Sequence, residues 1–239
     1  MINNLNEFIT EFTKIKEQGW IKTHRSGPTG IGKTLEDLLG IPENNRDEPD
    51  FGDYELKSCR INSQSMLTMF TRTPQPARSN TYLRNKYGYS SSAYDNDEKV
   101  LHSTLTAAKF VPIANTGHSL KIICDENKIS IASETEVENV FWDKAALRKA
   151  FEKKYKNKFV YAKAESRGSG ENEEFYFVDA YEVSGFNYDA FIDLLEQGKI
   201  FIDLRIGQYP DGRTHDHGTG FRIRETDQYL LFKNINKIV

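Results

Sequence analysis

Cysteine is nearly absent. Only Cys59 and Cys124 occur in 239 residues, far apart and without metal-ligand spacing, which excludes a disulfide framework or a cysteine-rich zinc module and fits a reducing compartment. No stretch approaches the ~18 apolar residues of a membrane-spanning helix, and the opening Met-Ile-Asn-Asn-Leu-Asn-Glu has neither the basic nor the apolar region of a secretory leader. A cytoplasmic protein without a membrane partner is expected. The chain also lacks an excess of either charge: 32 Lys and Arg against 35 Asp and Glu give a net charge of -3. That excludes indiscriminate coating of nucleic acid and leaves binding of a polyanion to local patches. A further absence is local. From Leu56 to Tyr94 there is no Asp or Glu, while Lys57, Arg60, Arg72, Arg78, Arg84 and Lys86 are present with Tyr82, Tyr87 and Tyr89 among them.

Just before this strip the chain is rich in acids: Asp37, Glu43, Asp47, Glu48, Asp50 and Asp53. At the junction lies Pro49-Asp50-Phe51-Gly52-Asp53-Tyr54-Glu55-Leu56-Lys57. In an extended segment Glu55 and Lys57 point one way and Leu56 the other, with Asp50 entering from the turn before. Two carboxylates suit Mg²⁺, which binds through one or two of them plus substrate phosphate. The lysine then holds an attacking water or offsets phosphate charge. Metal-assisted phosphodiester hydrolysis is therefore one reading; a charged, exposed strand is the other. An acidic knot beside a basic, aromatic-dotted strip favours the first, with Arg84 and Lys86 as candidate phosphate contacts.

The rest of the chain reads as one α/β unit, with 38% hydrophobic and 28% charged residues. Leu5, Phe8, Ile9, Phe12 and Ile15 predict an amphipathic helix over about 4–18, and a short helix is expected over 34–39. Strands over 53–60 and 65–72 are expected to form a hairpin, and 73–93 a loop with a helical turn or two. A second hairpin over 122–133, helices over 143–156 and 189–197, and strands over 159–164, 175–183 and 200–206 complete a mixed β-sheet flanked by helices.

Gly27-Pro28-Thr29-Gly30-Ile31-Gly32-Lys33-Thr34 matches a phosphate-cradling P-loop letter for letter. The residues before it, Trp20 to Ser26, are too polar for the buried strand such a loop leaves. A nucleotide-hydrolysing protein is thus the weaker alternative, and a loop presenting amides and Lys33 to DNA backbone the stronger. Towards the C-terminus, Asp203 and Arg205 precede a turn and then His215, Asp216, His217 and Arg222. Paired histidines invite zinc, but no third ligand falls at a recognisable spacing. Arg, His and Asp together suit the major-groove edges of G·C pairs.

With these stretches assembled, the sequence resembles the MvaI/BcnI family of type II restriction endonucleases. The resemblance is carried by Thr29 to Thr34 with Glu36-Asp37-Leu38-Leu39, Pro49-Asp50-Phe51 with Glu55 and Lys57, Leu83-Arg84-Asn85 with Tyr87-Gly88, and Thr214 to Thr219 with Phe221-Arg222-Ile223. It implies a PD-(D/E)xK, MutH-like fold with two lobes around a DNA cleft, here expected as a catalytic lobe over 1–106 and a recognition lobe over 107–239. It further implies Asp50 and Glu55 as Mg²⁺ ligands, Lys57 near the attacking water and Glu36 as a supporting acid. Asp203, Arg205, His215, Asp216, His217 and Arg222 then fall at base-contacting positions. The family reads pseudo-palindromes of the CC-N-GG type in double-stranded DNA as a monomer, with a cognate methyltransferase as a plausible companion. The turn between Tyr209 and Thr214 is shorter than the family pattern, which leaves the central base open. A MutH-like mismatch-repair nickase shares the same trio and is the alternative.

Overall fold

The structure, a computed structural model, describes residues 2–42, 49–61, 66–91, 98–155, 158–216 and 218–239. In chain order the elements begin α1 (Leu5–Glu17), β1 (Ile21–Lys22), α2 (Gly30–Leu38), β2 (Tyr54–Arg60), β3 (Leu67–Thr71), α3 (Ser79–Tyr87), β4 (Tyr89–Ser90) and β5 (Lys99–Leu105). There follow β6 (Val111–Pro112), β7 (Ser119–Cys124), β8 (Lys128–Ser133), β9 (Val137–Asp143), α4 (Lys144–Tyr155), β10 (Lys158–Arg167) and β11 (Glu174–Phe186). The last are α5 (Tyr188–Glu196), β12 (Ile200–Gln208), β13 (Thr214–Asp216), β14 (Gly220–Ile223) and β15 (Phe232–Lys237). No helix among the described residues is long and apolar enough to cross a membrane.

The chain divides into two compact units, each discontinuous in sequence. One comprises 1–65, 153–187 and 232–239; the other comprises 66–152 and 188–231. The chain passes between the units four times, after residues 65, 152, 187 and 231, whereas the sequence reading expected one boundary between 106 and 107. Sheet pairing is the reason: β2 and β10 are neighbours in one sheet, β5 and β12 in another, although each pair is far apart in sequence.

In the first unit, β10 lies between β2 (parallel) and β11 (antiparallel), with β1 and β15 both pairing with β11. Leu56, Val160, Ala162 and Ala164 line one face of this sheet and share a core with Phe8, Phe12, Ile15, Ile31 and Leu35 of α1 and α2. The apolar stripe of α1 is what this packing buries, and its N-terminus is capped where the Asn4 side chain accepts from Glu7 N at 3.0 Å.

In the second unit, β3, β14, β12, β5 and β4 form a sheet with β13 paired to β12, and β6 to β9 form an antiparallel meander. The expected 122–133 hairpin is β7 and β8. The expected 53–72 hairpin is not formed: β2 pairs with β10 and β3 with β14. Two adjacent strands of good propensity satisfied different sheets, and the proposed turn at 62–64 lies outside the described residues. The loop expected over 73–93 contains α3, a nine-residue helix whose buried face is Leu83, Arg84 and Tyr87. Helix α2 begins at Gly30, four residues earlier than expected.

Candidate active site and base-reading face

The turn before β2 is a closed loop in which Tyr54 N donates to Phe51 O at 2.8 Å and Phe51 N to Tyr54 O at 3.2 Å. Gly52 sits at φ +51, and a Cβ there would lie 2.6 Å from the carbonyl oxygen of Asn3, so only glycine fits on both counts. This turn brings Asp50 back along the strand, where Leu56 N donates to its Oδ2 at 2.6 Å. Strand alternation does the rest. Leu56 enters the core at 7% exposure, while Glu55 and Lys57 share the other face, with Lys57 Nζ donating to Glu55 Oε1 at 2.6 Å. Both side chains stay partly exposed, at 18% and 23%. Glu36 projects from α2, and its Oε1 lies with Ser58 Oγ within 4.0 Å of where a Cβ on Gly32 would stand. It is thus near β2 one residue beyond Lys57.

The glycine-rich loop does not have a P-loop's structure. Its preceding strand, β1, is two residues long and pairs antiparallel at the sheet edge. The Thr34 hydroxyl, which a P-loop gives to a cation, is buried, donates to Gly30 O at 2.8 Å and accepts from His24 N at 2.9 Å. Arg60 donates to Gly27 O and Pro28 O while pairing through Nε with Glu173 at 2.6 Å. The loop therefore turns carbonyls onto a guanidinium rather than amides onto a phosphate, and the nucleotide-hydrolysing alternative is set aside. Lys33 Nζ meets Asp37 at 2.7 Å, and that bond, followed by the one from His24, holds the Asp37 carboxyl below the ordinary carboxylate range.

The basic strip behaves differently from its sequence reading. Arg84 is 5% exposed and reaches the carbonyls of Gly207 and Gly212 at 3.5 and 3.4 Å. Burial pulls its pKa down. It braces the β12–β13 hairpin instead of facing outwards to a phosphate. Lys86 bonds Glu136 at 2.7 Å and Glu138 at 3.0 Å, and the Glu136 bond leads the contacts that raise its pKa. Glu138 is 4% exposed and also accepts from Tyr82 at 2.6 Å and from Tyr87. Burial alone would raise the Glu138 pKa; the bonds from Tyr82, Tyr87 and Lys86 outweigh it and leave the carboxyl below its usual value. Neither Arg84 nor Lys86 is placed as a phosphate contact, because partners distant in sequence claim both charges.

The C-terminal candidates come together on one sheet. Ile202, Leu204 and Ile206 of β12 are fully buried along with Leu101, Leu105, Phe221 and Ile223 of neighbouring strands. The alternate positions, Asp203 and Arg205, therefore face the opposite side. Asp203, 7% exposed, accepts from Thr104 Oγ1 and from Arg222 at 2.9 Å each, and Arg205 Nε stands 3.5 Å away. Arg222 also donates to Met66 O at 3.2 Å, and Arg205 to Gly218 O at 3.3 Å. The Nε protons of both arginines are buried with no hydrogen-bond acceptor among the described residues. His215 lies against the Tyr209 ring, centroids 4.6 Å apart. Asp216 is used locally, accepting from Gly218 N at 2.8 Å and from the side-chain amide of Asn80. His217 lies outside the described residues. The sequence reading missed Thr104, which shares the Asp203 carboxylate; its only signal was the alternation of β5.

The chain matches the family model of the MvaI/BcnI restriction endonucleases over residues 9–232. It belongs to the MvaI/BcnI restriction endonuclease family. As a member it is a type II restriction endonuclease. Among solved structures it is similar to the restriction endonuclease MvaI in complex with cognate DNA substrate, at 32% identity and a TM-score of 0.86, covering 100% of both chains. MvaI in the absence of DNA is also similar, at 31% identity and a TM-score of 0.60, covering 100% of this chain and 99% of that one. No curated protein matches. The mixed α/β architecture is accordingly the restriction-endonuclease fold that the sequence resemblance implied.

Proposed function

We propose that this family member is a Mg²⁺-dependent, sequence-specific endonuclease of double-stranded DNA, cutting at a short pseudo-palindromic, G/C-flanked site of the CC-N-GG type. The observation that carries this reading is the Glu55 and Lys57 pair on the partly exposed face of β2, with Asp50 fixed to the same strand by Leu56 N. Among the described residues no group of three or more His, Cys, Asp or Glu forms a metal cage. Two carboxylates completed by substrate phosphate and water are the donor set Mg²⁺ prefers, so the residues fit that ion. Asp50 and Glu55 would hold it. When bound, the cation supplies Lewis-acid polarisation of the scissile phosphate.

The chain's own residues then act as follows. Lys57, oriented by its bond to Glu55, presents an ammonium to the attacking water and to the charge that develops on phosphate. Glu36 supplies a supporting carboxylate from α2. Arg205 and Arg222, both leaning on Asp203, present forked donors to guanine O6 and N7, with His215 and Asp216 of β13 in the same sheet, and His217, next in the sequence, assigned to the same set. Asp203 serves this set chiefly by orienting the two arginines. We take the enzyme to work as a monomer that cuts one strand at a time, in a cell that protects its own sites with a companion methyltransferase.

Incubation of plasmid DNA with the protein and Mg²⁺, beside an EDTA control, tests the reading when the cut ends are sequenced. Discrete fragments whose ends share a G/C-flanked site, absent with EDTA, are expected. Intact plasmid, or a smear with unrelated ends, would overturn it.

A further inference from the structure

On the polar face of the second unit's sheet, the strand register sets two cross-strand pairs side by side: Asp203 opposite Thr104 and Arg205 opposite His102. These residues, with Ser103 and Leu204, line an open concavity of about 420 Å³. Most of its polar groups are already committed. Thr104 donates to Asp203, Arg222 donates to Asp203, and Arg205 lies against the same carboxylate while donating to Gly218 O. His102 is different. It is exposed, and among the described residues its imidazole makes no hydrogen bond or ion pair. The concavity thus contains an uncommitted imidazole beside an arginine whose side chain stays about two-fifths exposed while Asp203 and Gly218 O hold it in place. Groups arranged in this way are complementary to a ligand that presents several acceptors along one edge.

We propose that His102 is a further specificity-determining residue, donating from its imidazole to the major-groove edge of a purine beside the base that Arg205 addresses. The inference rests on the endonuclease reading above. Neighbouring strands stand about 4.8 Å apart, close to the ~3.4 Å step between successive bases of a strand. Side chains opposite each other on β5 and β12 can therefore reach the same or adjacent base pairs. Asp203 is the only acid among the described residues that line the concavity, and it accepts from Thr104 and Arg222. Donors consequently dominate what the face offers, and the purine N7, with O6 on guanine, is the acceptor edge that matches them. A neutral imidazole has a single N–H to give, so His102 reads one acceptor where each arginine reads two.

The test compares cleavage of a cognate duplex and its single-base variants by wild type, His102→Ala, His102→Asn and Arg205→Ala, together with the salt dependence of binding. His102→Ala is expected to lose about 2- to 10-fold of discrimination at one base pair, as for a single hydrogen bond, with an unchanged salt slope, and His102→Asn, which keeps a donor, to recover part of it. Equal loss on every duplex with a shallower salt slope would make His102 a phosphate contact and overturn the proposal. So would unaltered discrimination in His102→Ala when Arg205→Ala relaxes specificity, which leaves the endonuclease reading standing. Relaxation in neither variant would remove the base-reading face altogether, and His102 with it.

Discussion

Two lysine–carboxylate clusters in this protein have nearly the same geometry and different surroundings. Lys57 meets Glu55 at 2.6 Å on β2, and Lys86 meets Glu138 at 3.0 Å between α3 and β9. The Glu55 side chain keeps 18% of its surface and stands on the face opposite the core, beside a turn that delivers a second carboxylate. The Glu138 side chain keeps 1% and accepts from two tyrosines as well as the lysine. A pair closed in this way is a structural strut. The partly open pair, with an acid brought to it, keeps a solvent-facing side, where the proposed function would place the substrate phosphate. Distance between charges does not separate the two cases; burial and the hydrogen bonds around the acid do.

The largest test of that contrast is catalytic. Asp50→Ala, Glu55→Ala and Lys57→Ala should each lower the single-turnover cleavage rate by on the order of 100-fold or more, while thermal melts stay near wild type. Full activity in any of them breaks the assignment of the open cluster. The closed cluster should respond in the opposite sense. Glu138→Ala strands the buried Tyr87 hydroxyl and removes an acceptor from the more exposed Tyr82 and Lys86, so the cost should be about 2–3 kcal/mol of unfolding free energy, below the full penalty of a buried pair. Denaturant titration at neutral pH reads this loss, and cutting should persist wherever the variant stays folded.

The same residue sharpens the comparison through pH. The folded-state pKa of Glu138 lies below the ordinary glutamate value of 4.5, so its stabilisation is present above pH 4.5 and is lost as pH falls through the lower folded value. Stability measured from pH 6 down to pH 3 should fall less steeply in Glu138→Gln than in wild type; parallel curves would deny the carboxylate its role.

On the base-reading face, Arg222→Ala should cost about 1–3 kcal/mol of discrimination at one base pair, seen as relaxed specificity in cleavage of single-base variants. Rates lowered equally on all sequences would mark Arg222 as a phosphate contact. The smallest effect is expected from Lys86→Ala: since its charge is spent on Glu136 and Glu138, the salt slope of DNA binding should change by less than the ~0.9 that one phosphate contact contributes. A full step would return Lys86 to the DNA surface.

The sequence by itself determined those features whose causes are local. The i, i+2 alternation that pairs Glu55 with Lys57 needs only an extended backbone, and α1 needs only its apolar stripe and the Asn4 cap. Polar residues before Gly27 were enough to reject a P-loop, since no buried strand can be made from them. Tertiary structure decided the rest. Lys86 and Arg84 read as outward cations until β9 and the β12–β13 hairpin supplied partners 52 and 128 residues away. Strand β3 left the hairpin expected with β2 because β14 offered its ladder, and two sheets drawing on interleaved segments erased any single boundary in the chain. His102 acquired its neighbour Arg205 only through the pairing of β5 with β12. Charge, burial and register between distant segments are properties of the contact, and a linear sequence records only the two residues that will meet.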